Sequence, residues 1–468
     1  MKNEKIGYFA STVKPNKLWE YLAFSAKINS ERKTKKKLKL VVIKKKFPSL
    51  SFFIFLIKSL LSLNIFFFRK FINLKYKDCD IGFHAAAYTY GNFSVYSSQF
   101  KTYFNILRSL FLAGSTIETA YELVKRVDAI FIDHPANING IYFTIFCNNK
   151  KIIYSNFYPR GFFCIDKRNG KNKKIKNFLD ARIHPSKKKI TKKTIVKNKR
   201  YLNKIVSNPN KYVTWMQKTK YKVMRKNNLN FSKLKYIVYA HSFVDGPLDY
   251  GYDGFINLEE WLEFTIREIK KTNNFAIIKA HPNFYNPMFG DVAKNDARVF
   301  KKLKTRYENE KLIFIDYPVK NFLLLQQIPK KTIIISHHGS TLLEATAMGF
   351  KSICSRSTFW HPKFNVSNQY TSISNYRNLL NSKWEDLRLF ENQNKFYDLS
   401  NQTFFNKYGI QNNLFWQKFI EKESKKKLDI SFQSRIGIKR HKITDHILQT
   451  SKEKIFKKLS NNIEEISI

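Results

Sequence analysis

Cysteine is scarce in this 468-residue chain, and the four present, Cys79, Cys147, Cys164 and Cys354, stand far apart with no C-x-x-C pair among them. That spacing excludes a disulfide-stapled scaffold and a structural zinc ribbon, and it fits a reducing compartment. Acidic residues are few as well: 35 Asp and Glu face 85 Lys and Arg, a formal net charge of +50. Such charge invites a nucleic-acid or acidic-membrane partner. The sequence has no zinc-knuckle spacing, no RNP-like signature and no internal repeat, and its lysines run along the whole chain. Evenly spread charge mostly solvates a surface. Nucleic acid is therefore not expected as a partner, and a basic RNA- or membrane-binding protein stands only as the non-enzyme alternative.

Clean apolar runs of membrane length are also missing. The start "MKNEKIGYFAST" has no apolar core of the kind a signal peptide carries. The segment "FFIFLIKSLLSLNIFFFRKF", Phe52 to Phe71, is strongly apolar but broken by Lys58, Ser59, Ser62 and Asn64. A spanning helix wants roughly 20 apolar residues without a central cation. Core, interfacial and spanning placements all stay open, with the interruptions counting against a span. The expected location is cytoplasmic, with at most peripheral contact to an anionic inner membrane.

What the chain does have is apolar content, 43%, enough to bury cores in two or three domains. Residues 1–165 form the first expected domain, where "DAIFID", "IYFTIFC" and "KIIYS" read as buried strands. Residues 166–230 open on a very basic stretch and read as a linker or surface excursion. Residues 231–425 form the most regular domain, and residues 426–468 a basic tail with helical potential. From "KYIVYA" onward, strands ("FAIIKA", "KLIFID", "TIIIS", "KSICS") alternate with helices ("NLEEWLEFTIREIKKT", the region of Asp291 to Arg306, "NFLLLQQ", "TLLEATAM"). That alternation predicts a parallel sheet with right-handed crossovers, a Rossmann-like α/β domain.

In open parallel sheets ligands bind beyond the carboxyl ends of the strands. The polar residues of this chain gather at such positions: "HSFVDGPLDYGYDG", "HPNFYNP", "YPVKN", "HHGST" and "RSTFWHP" follow the five strands in turn. In "HHGST", His337 and His338 precede Gly339, where backbone can approach a ligand, and Ser340 and Thr341, whose helix-start N–H groups favour a phosphate. Thr341 and Glu344 have capping-box spacing, although Glu344 can instead accept from ribose hydroxyls. Pro282 holds His281 extended at a strand end, where its imidazole can bond a sugar, a base or a phosphate. His84 and His134 are read as lying at similar turns in the first half.

Three stretches, "YIVYAHSFVDGPLDYGYDGFINLEEWLEFTI", "IIKAHPN" and "SHHGSTLLEATAMGFKSI", resemble the C-terminal half of bacterial capsule and surface-polysaccharide glycosyltransferases of the GT-B fold. The resemblance covers about residues 231–362. It implies two Rossmann-like domains facing across a cleft, the N-terminal one holding the acceptor and the C-terminal one the donor. It also implies a sugar moved from a nucleotide-activated donor to a capsule, lipopolysaccharide or similar acceptor, free or lipid-linked. By similarity to CMP- and CDP-donor transferases, His281 with Pro282 would contact the donor nucleotide, and Ser340 and Thr341 its phosphate. The "HHGST" turn is also similar to that of UDP-sugar enzymes. His241 and Asp245, after the first strand of the donor domain, are the first catalytic candidates; Asp133 and His84 are the acceptor-side candidates. The only D-x-D, Asp78 to Asp80, precedes an apolar run instead of ending a strand, so no metal is expected, and no cofactor beyond the donor. A CDP-alcohol phosphotransferase and a nucleotide-sugar 2-epimerase are the enzyme alternatives.

Overall fold

The computed structural model describes residues 4–9, 38–43, 47–62, 66–92, 99–127, 129–132, 138–149, 152–156, 162–165, 191, 195–196, 231–246, 248, 251–286, 290–358, 360, 362–364, 366–389 and 463–466. Their elements run β1 (Glu4–Phe9), β2 (Leu38–Ile43), α1 (Leu50–Leu61), α2 (Phe68–Ile72), α3 (Ile81–Asn92), α4 (Gln99–Arg126), β3 (Ala129–Ile132), α5 (Asn139–Asn148), β4 (Ile152–Asn156) and β5 (Phe162–Ile165). Then follow β6 (Leu234–Tyr239), α6 (Leu258–Lys271), β7 (Phe275–Lys279), α7 (Gly290–Tyr307), β8 (Leu312–Ile315), α8 (Asn321–Gln327), β9 (Ile333–Ser336), α9 (Thr341–Ala347), β10 (Ser352–Ser355), β11 (Asn368–Tyr370), α10 (Ile373–Asn381) and β12 (Ile463–Ile466). The chain divides into two compact units, one of Met1–Thr89, Ser97–Ala181 and Asn406–Ile468, the other of Tyr90–Tyr96 and Arg182–Phe405. Each unit is built on its own six-stranded sheet.

The first unit's sheet has the order β12-β2-β1-β3-β4-β5, parallel except for the antiparallel β4–β5 pair. "DAIFID" and "KIIYS" are strands as expected. "IYFTIFC" is not: it forms α5, with Ile141, Tyr142, Phe143, Ile145 and Phe146 all buried. A run apolar on every side carries no period to separate a buried helix from a buried strand, and β-branched and aromatic content alone pointed the wrong way. The described residues of the Phe52 to Phe71 segment lie mostly in α1 and α2. Among the described residues no helix is long and apolar enough to cross a membrane.

The second unit follows the expected plan closely. Its sheet is parallel throughout, in the order β8-β7-β6-β9-β10-β11. Both faces are covered. On one, Tyr236, Val238, Ile278, Ile335 and Ile353 meet Trp261, Leu262, Ile266 and Ile269 of α6, Phe300 and Leu303 of α7, and Tyr376 of α10. On the other, Ile237, Tyr239, Ile277 and Ile334 meet Leu324 and Leu325 of α8 and Ala345 of α9. Strands buried on both sides read as continuous apolar runs, which is why they were legible. α6 is set by its ends: the Asn257 side chain accepts from the Glu260 N–H at 2.8 Å, and Glu260 returns the bond to the Ile256 N–H at 2.7 Å. Gly349, at φ 79°, ends α9 in the left-handed region that favours glycine.

Candidate functional site

From the middle of the second sheet, β6, β7 and β8 succeed one another toward one edge and β9, β10 and β11 toward the other, all parallel. The chain starts at β6, steps sideways through α6 and α7 on one face, then returns beside β6 as β9 through α8 on the opposite face. Helices leaving adjacent strands for opposite faces leave a crevice beyond their carboxyl ends, the topological switch point of a doubly wound sheet. The residues after β6 and β9 are His241, and His337 with His338. The two loops that the topology brings to the switch point both open on histidine.

The rings form one cluster. His241 stacks on His338 with centroids 4.3 Å apart and planes 26° from parallel, and on His281, at the end of β7, at 6.2 Å and 21°. His337 stands edge-on to His338 at 4.9 Å. Nε2 of His241 lies 2.9 Å from Ser336 Oγ and accepts the backbone N–H of His338 at 3.3 Å. Gly339 makes room for this: a Cβ there would come within 2.9 Å of Ser336 Oγ and 3.2 Å of His241 Cε1. Nδ1 of His281 accepts the Asn283 N–H at 3.2 Å, and the extended backbone of His281, φ −70° and ψ 138°, is the one Pro282 imposes.

Behind the cluster sits Asp253, 3% exposed. Its Oδ2 lies 2.9 Å from His337 Nε2 and also takes the Ser355 hydroxyl, while Oδ1 accepts the Phe255 N–H at 3.3 Å. Burial alone would raise this carboxyl; His337, Ser355 and the Phe255 N–H outweigh it and hold it below the usual carboxylate range. Nδ1 of His337 is 2.6 Å from Nδ1 of His338, so one proton lies between them. Burial, reinforced by the neighbouring histidines, pushes His241 and His338 well below the ordinary imidazole value. Those two rings are held neutral at physiological pH, a state suited to hydrogen-bonding hydroxyls.

A second polar group occupies the α8–α9 side. Lys279, the last residue of β7, is buried, and burial brings its amine down to about 8 against the opposing pull of Glu344. Glu344 is raised by burial, an effect partly offset by Asn321 and Lys279; its Oε2 accepts from Asn321 Nδ2 at 2.5 Å, and Asn321 in turn takes the Tyr239 hydroxyl. Glu344 therefore does not close a capping box on Thr341. Ser340, the residue before α9, makes no side-chain cap, and Thr341 Oγ1 is buried without a hydrogen-bond partner.

The structure thus gathers His241, His281, His337, His338 and Gly339, with Ser340 and Thr341 continuing from the same loop and Glu344 one turn on. Pro282 opens the 3-10 turn Pro282–Tyr285. Asp245 is half-buried in the turn after β6, its backbone N–H on the Ser242 carbonyl at 2.9 Å. His84 belongs to the other unit and corrects an expectation: it lies in the first turn of α3, not at a strand end, because "GFHAAAYTYGN" is helical. Asp133 and His134 lie outside the described residues. Sequence reasoning missed Asp253, which looked like one more polar residue in "DYGYDG". It also missed Lys279, although a cation inside the apolar run "FAIIKA" was a signal. Asp296 was hidden within a helix; it clamps the loop after β6 through the Ser242 hydroxyl at 2.6 Å and the Phe243 N–H at 3.2 Å.

No protein-family model and no curated protein matches the chain. Among solved structures, KpsC from Thermosulfurimonas dismutans, a β-Kdo 2,4 transferase, is similar at a TM-score of 0.35 and 8% identity over 58% of this chain and 79% of that one. The UDP-GlcNAc 2-epimerase of Methanocaldococcus jannaschii is similar at 0.29 and 15% identity, over 84% and 98%. The trehalose-6-phosphate synthase OtsA is similar at 0.29 and 11% identity, over 72% and 83%.

Proposed function

We propose that this chain is a metal-independent glycosyltransferase of GT-B type, moving a sugar from a nucleotide-activated donor to a surface-polysaccharide or lipid-linked glycan acceptor. The supporting observation is the histidine cluster at the switch point of the second sheet, where doubly wound sheets take nucleotides. His281 and the Gly339 to Thr341 loop contact the nucleotide and its phosphates. His338 takes the proton of the attacking hydroxyl, and His241 braces it from the stacked side. Asp253 orients His337 from behind. The donor is a pyrimidine nucleotide sugar, CMP- or CDP-linked in preference to UDP-linked.

Thermal unfolding with CMP, CDP, UDP, GDP and ADP at equal concentration tests this, since a ligand that binds only the folded protein raises its melting temperature. A hundredfold excess over Kd adds about 2.7 kcal/mol. A pyrimidine nucleotide should stabilise most, His281→Ala should weaken the shift, and Ser340→Ala with Thr341→Ala should remove most of it. Equal shifts from every nucleotide, unchanged in those variants, would mark nonspecific attraction by a +50 chain and sink the reading. Products then separate the chemistries: a donor altered without acceptor means an epimerase, and a transferred alcohol phosphate means a phosphotransferase.

A further inference from the structure

Helix α1 turns its back on the core. Its inner side is anchored by Phe52, fully buried, whose ring packs edge-on to Tyr76 at 5.4 Å and Phe111 at 6.5 Å. Gly114 of α4 admits that ring; a Cβ there would lie 2.3 Å from Phe52 Cε2. The helix start is fastened too, with Ser49 Oγ and Tyr76 OH both donating to Glu118 Oε1 at 2.6 Å. The outer side carries Leu50, Ile54, Ile57 and Leu61 in one stripe, spaced as neighbours on a helix face and exposed by 76, 48, 55 and 79%. Phe66 and Phe67, before α2, are exposed as well.

The exposed charges on α1 itself and on the Phe66–Lys70 segment are cationic. From residue 47 to residue 77 the sequence has no Asp or Glu; Lys75 pairs with Asp80 at 3.8 Å and Lys77 with Glu118 at 2.6 Å, and the remaining cations are Lys58, Arg69 and Lys70. Lys58, Arg69 and Lys70 are exposed beside the apolar residues, and Lys70 Nζ lies 5.2 Å from the centroid of the Phe67 ring. We propose that α1 and the Phe66–Lys70 segment form a seat for an anionic bilayer surface, with the apolar stripe lying in the headgroup boundary and the cations on lipid phosphates. Exposed cations beside an apolar helix face match that partner. A second copy of the chain fits poorly, because it would set two cationic rims against each other, and 12 residues give less than two heptads of seam.

The seat lies within the first unit, so it goes beyond the nucleotide reading and is tested without nucleotide. The full chain is sedimented with phosphatidylcholine vesicles with and without phosphatidylglycerol. Binding should require the anionic lipid. Replacing the stripe (Leu50→Ser, Ile54→Ser, Ile57→Ser and Leu61→Ser) should lower the partition coefficient at least about tenfold with net charge unchanged. Replacing Lys58, Arg69 and Lys70 by Gln should do the same. In an otherwise native chain, Ile57→Trp should add emission that moves to the blue on vesicles and is quenched by brominated lipid. That single exposed substitution reads the seat even if the serine variant fails to fold. Undiminished binding by a folded serine variant would assign the attraction to overall charge and overturn the proposal. An Ile57→Trp signal indifferent to brominated lipid would overturn it as well, as would a concentration-dependent dimer abolished by the same serines.

Discussion

His241 and His338 stack at 4.3 Å although 97 residues separate them, and the backbone N–H of one is bonded to the ring of the other at 3.3 Å. Both imidazoles sit well below the ordinary value of 6.5, chiefly through burial. The unfolded chain therefore binds more protons than the folded one between those depressed values and 6.5, and stability rises with pH across that window. Acidification from pH 7 toward 5 should lower the melting temperature, and His241→Asn with His338→Asn should flatten that slope. An unchanged slope in the double variant would show that the rings are not held neutral.

Asp253 has three partners, so its replacements should separate. Asp253→Ala leaves buried His337, Ser355 and the Phe255 N–H without their acceptor, and should cost about 3–5 kcal/mol in denaturant unfolding. Asp253→Asn keeps an oxygen for two of them and should cost less, yet it removes the charge facing His337 and should lower the proposed transfer activity. Equal stability losses would show that the carboxylate acts by shape alone.

Lys279 and Glu344 should behave as a coupled pair. Lys279→Met leaves a part-buried carboxyl without its cation, and Glu344→Gln leaves a buried amine whose value is already down to about 8. The double variant should therefore be more stable than the sum of the singles implies, by about 0.5–3 kcal/mol. Additive losses would mean that the two groups titrate independently.

Gly114→Val forces a side chain into the ring of Phe52 and should cost about 1–3 kcal/mol through overpacking. Phe52→Leu in the same chain should recover part of the loss. A Gly114→Val protein with native melting temperature would show that α1 is not seated on α4 in this way.

The second unit was legible because its strands are buried on both faces and its helices on one, which writes short unbroken apolar runs and a helical period in alternation into the sequence. Trp261, Leu262, Ile266 and Ile269 mark the inner side of α6, while the continuous run Ile333 to Ile335 marks β9. Histidine at strand ends stood out for the same reason, since a polar residue beside a fully apolar run must answer to something beyond the sheet. The cluster's support was not legible. Asp253 reaches His337 across 84 positions of chain, and Asp296 reaches Ser242 across 54; long-range polar pairs leave no periodic trace. α5 shows the converse failure, where burial on all sides erased the period that would have named it.

The strand pairing of β12 has a consequence for the order in which the molecule comes together. Ile463 aligns with Leu40, so the first sheet joins residues from near both extremes of the sequence, whereas the second sheet is complete between Leu234 and Tyr370. During synthesis every strand of the second sheet has been made before β12 exists. That unit can acquire its hydrogen bonds while β2 still shows an open edge, a row of unpaired backbone groups that invites strands from other chains. Nascent chains halted before residue 463 should accordingly present a protease-resistant second unit and an aggregation-prone first one. A peptide carrying residues 463–466 with their flanks, added during release, is the natural suppressor of that aggregation.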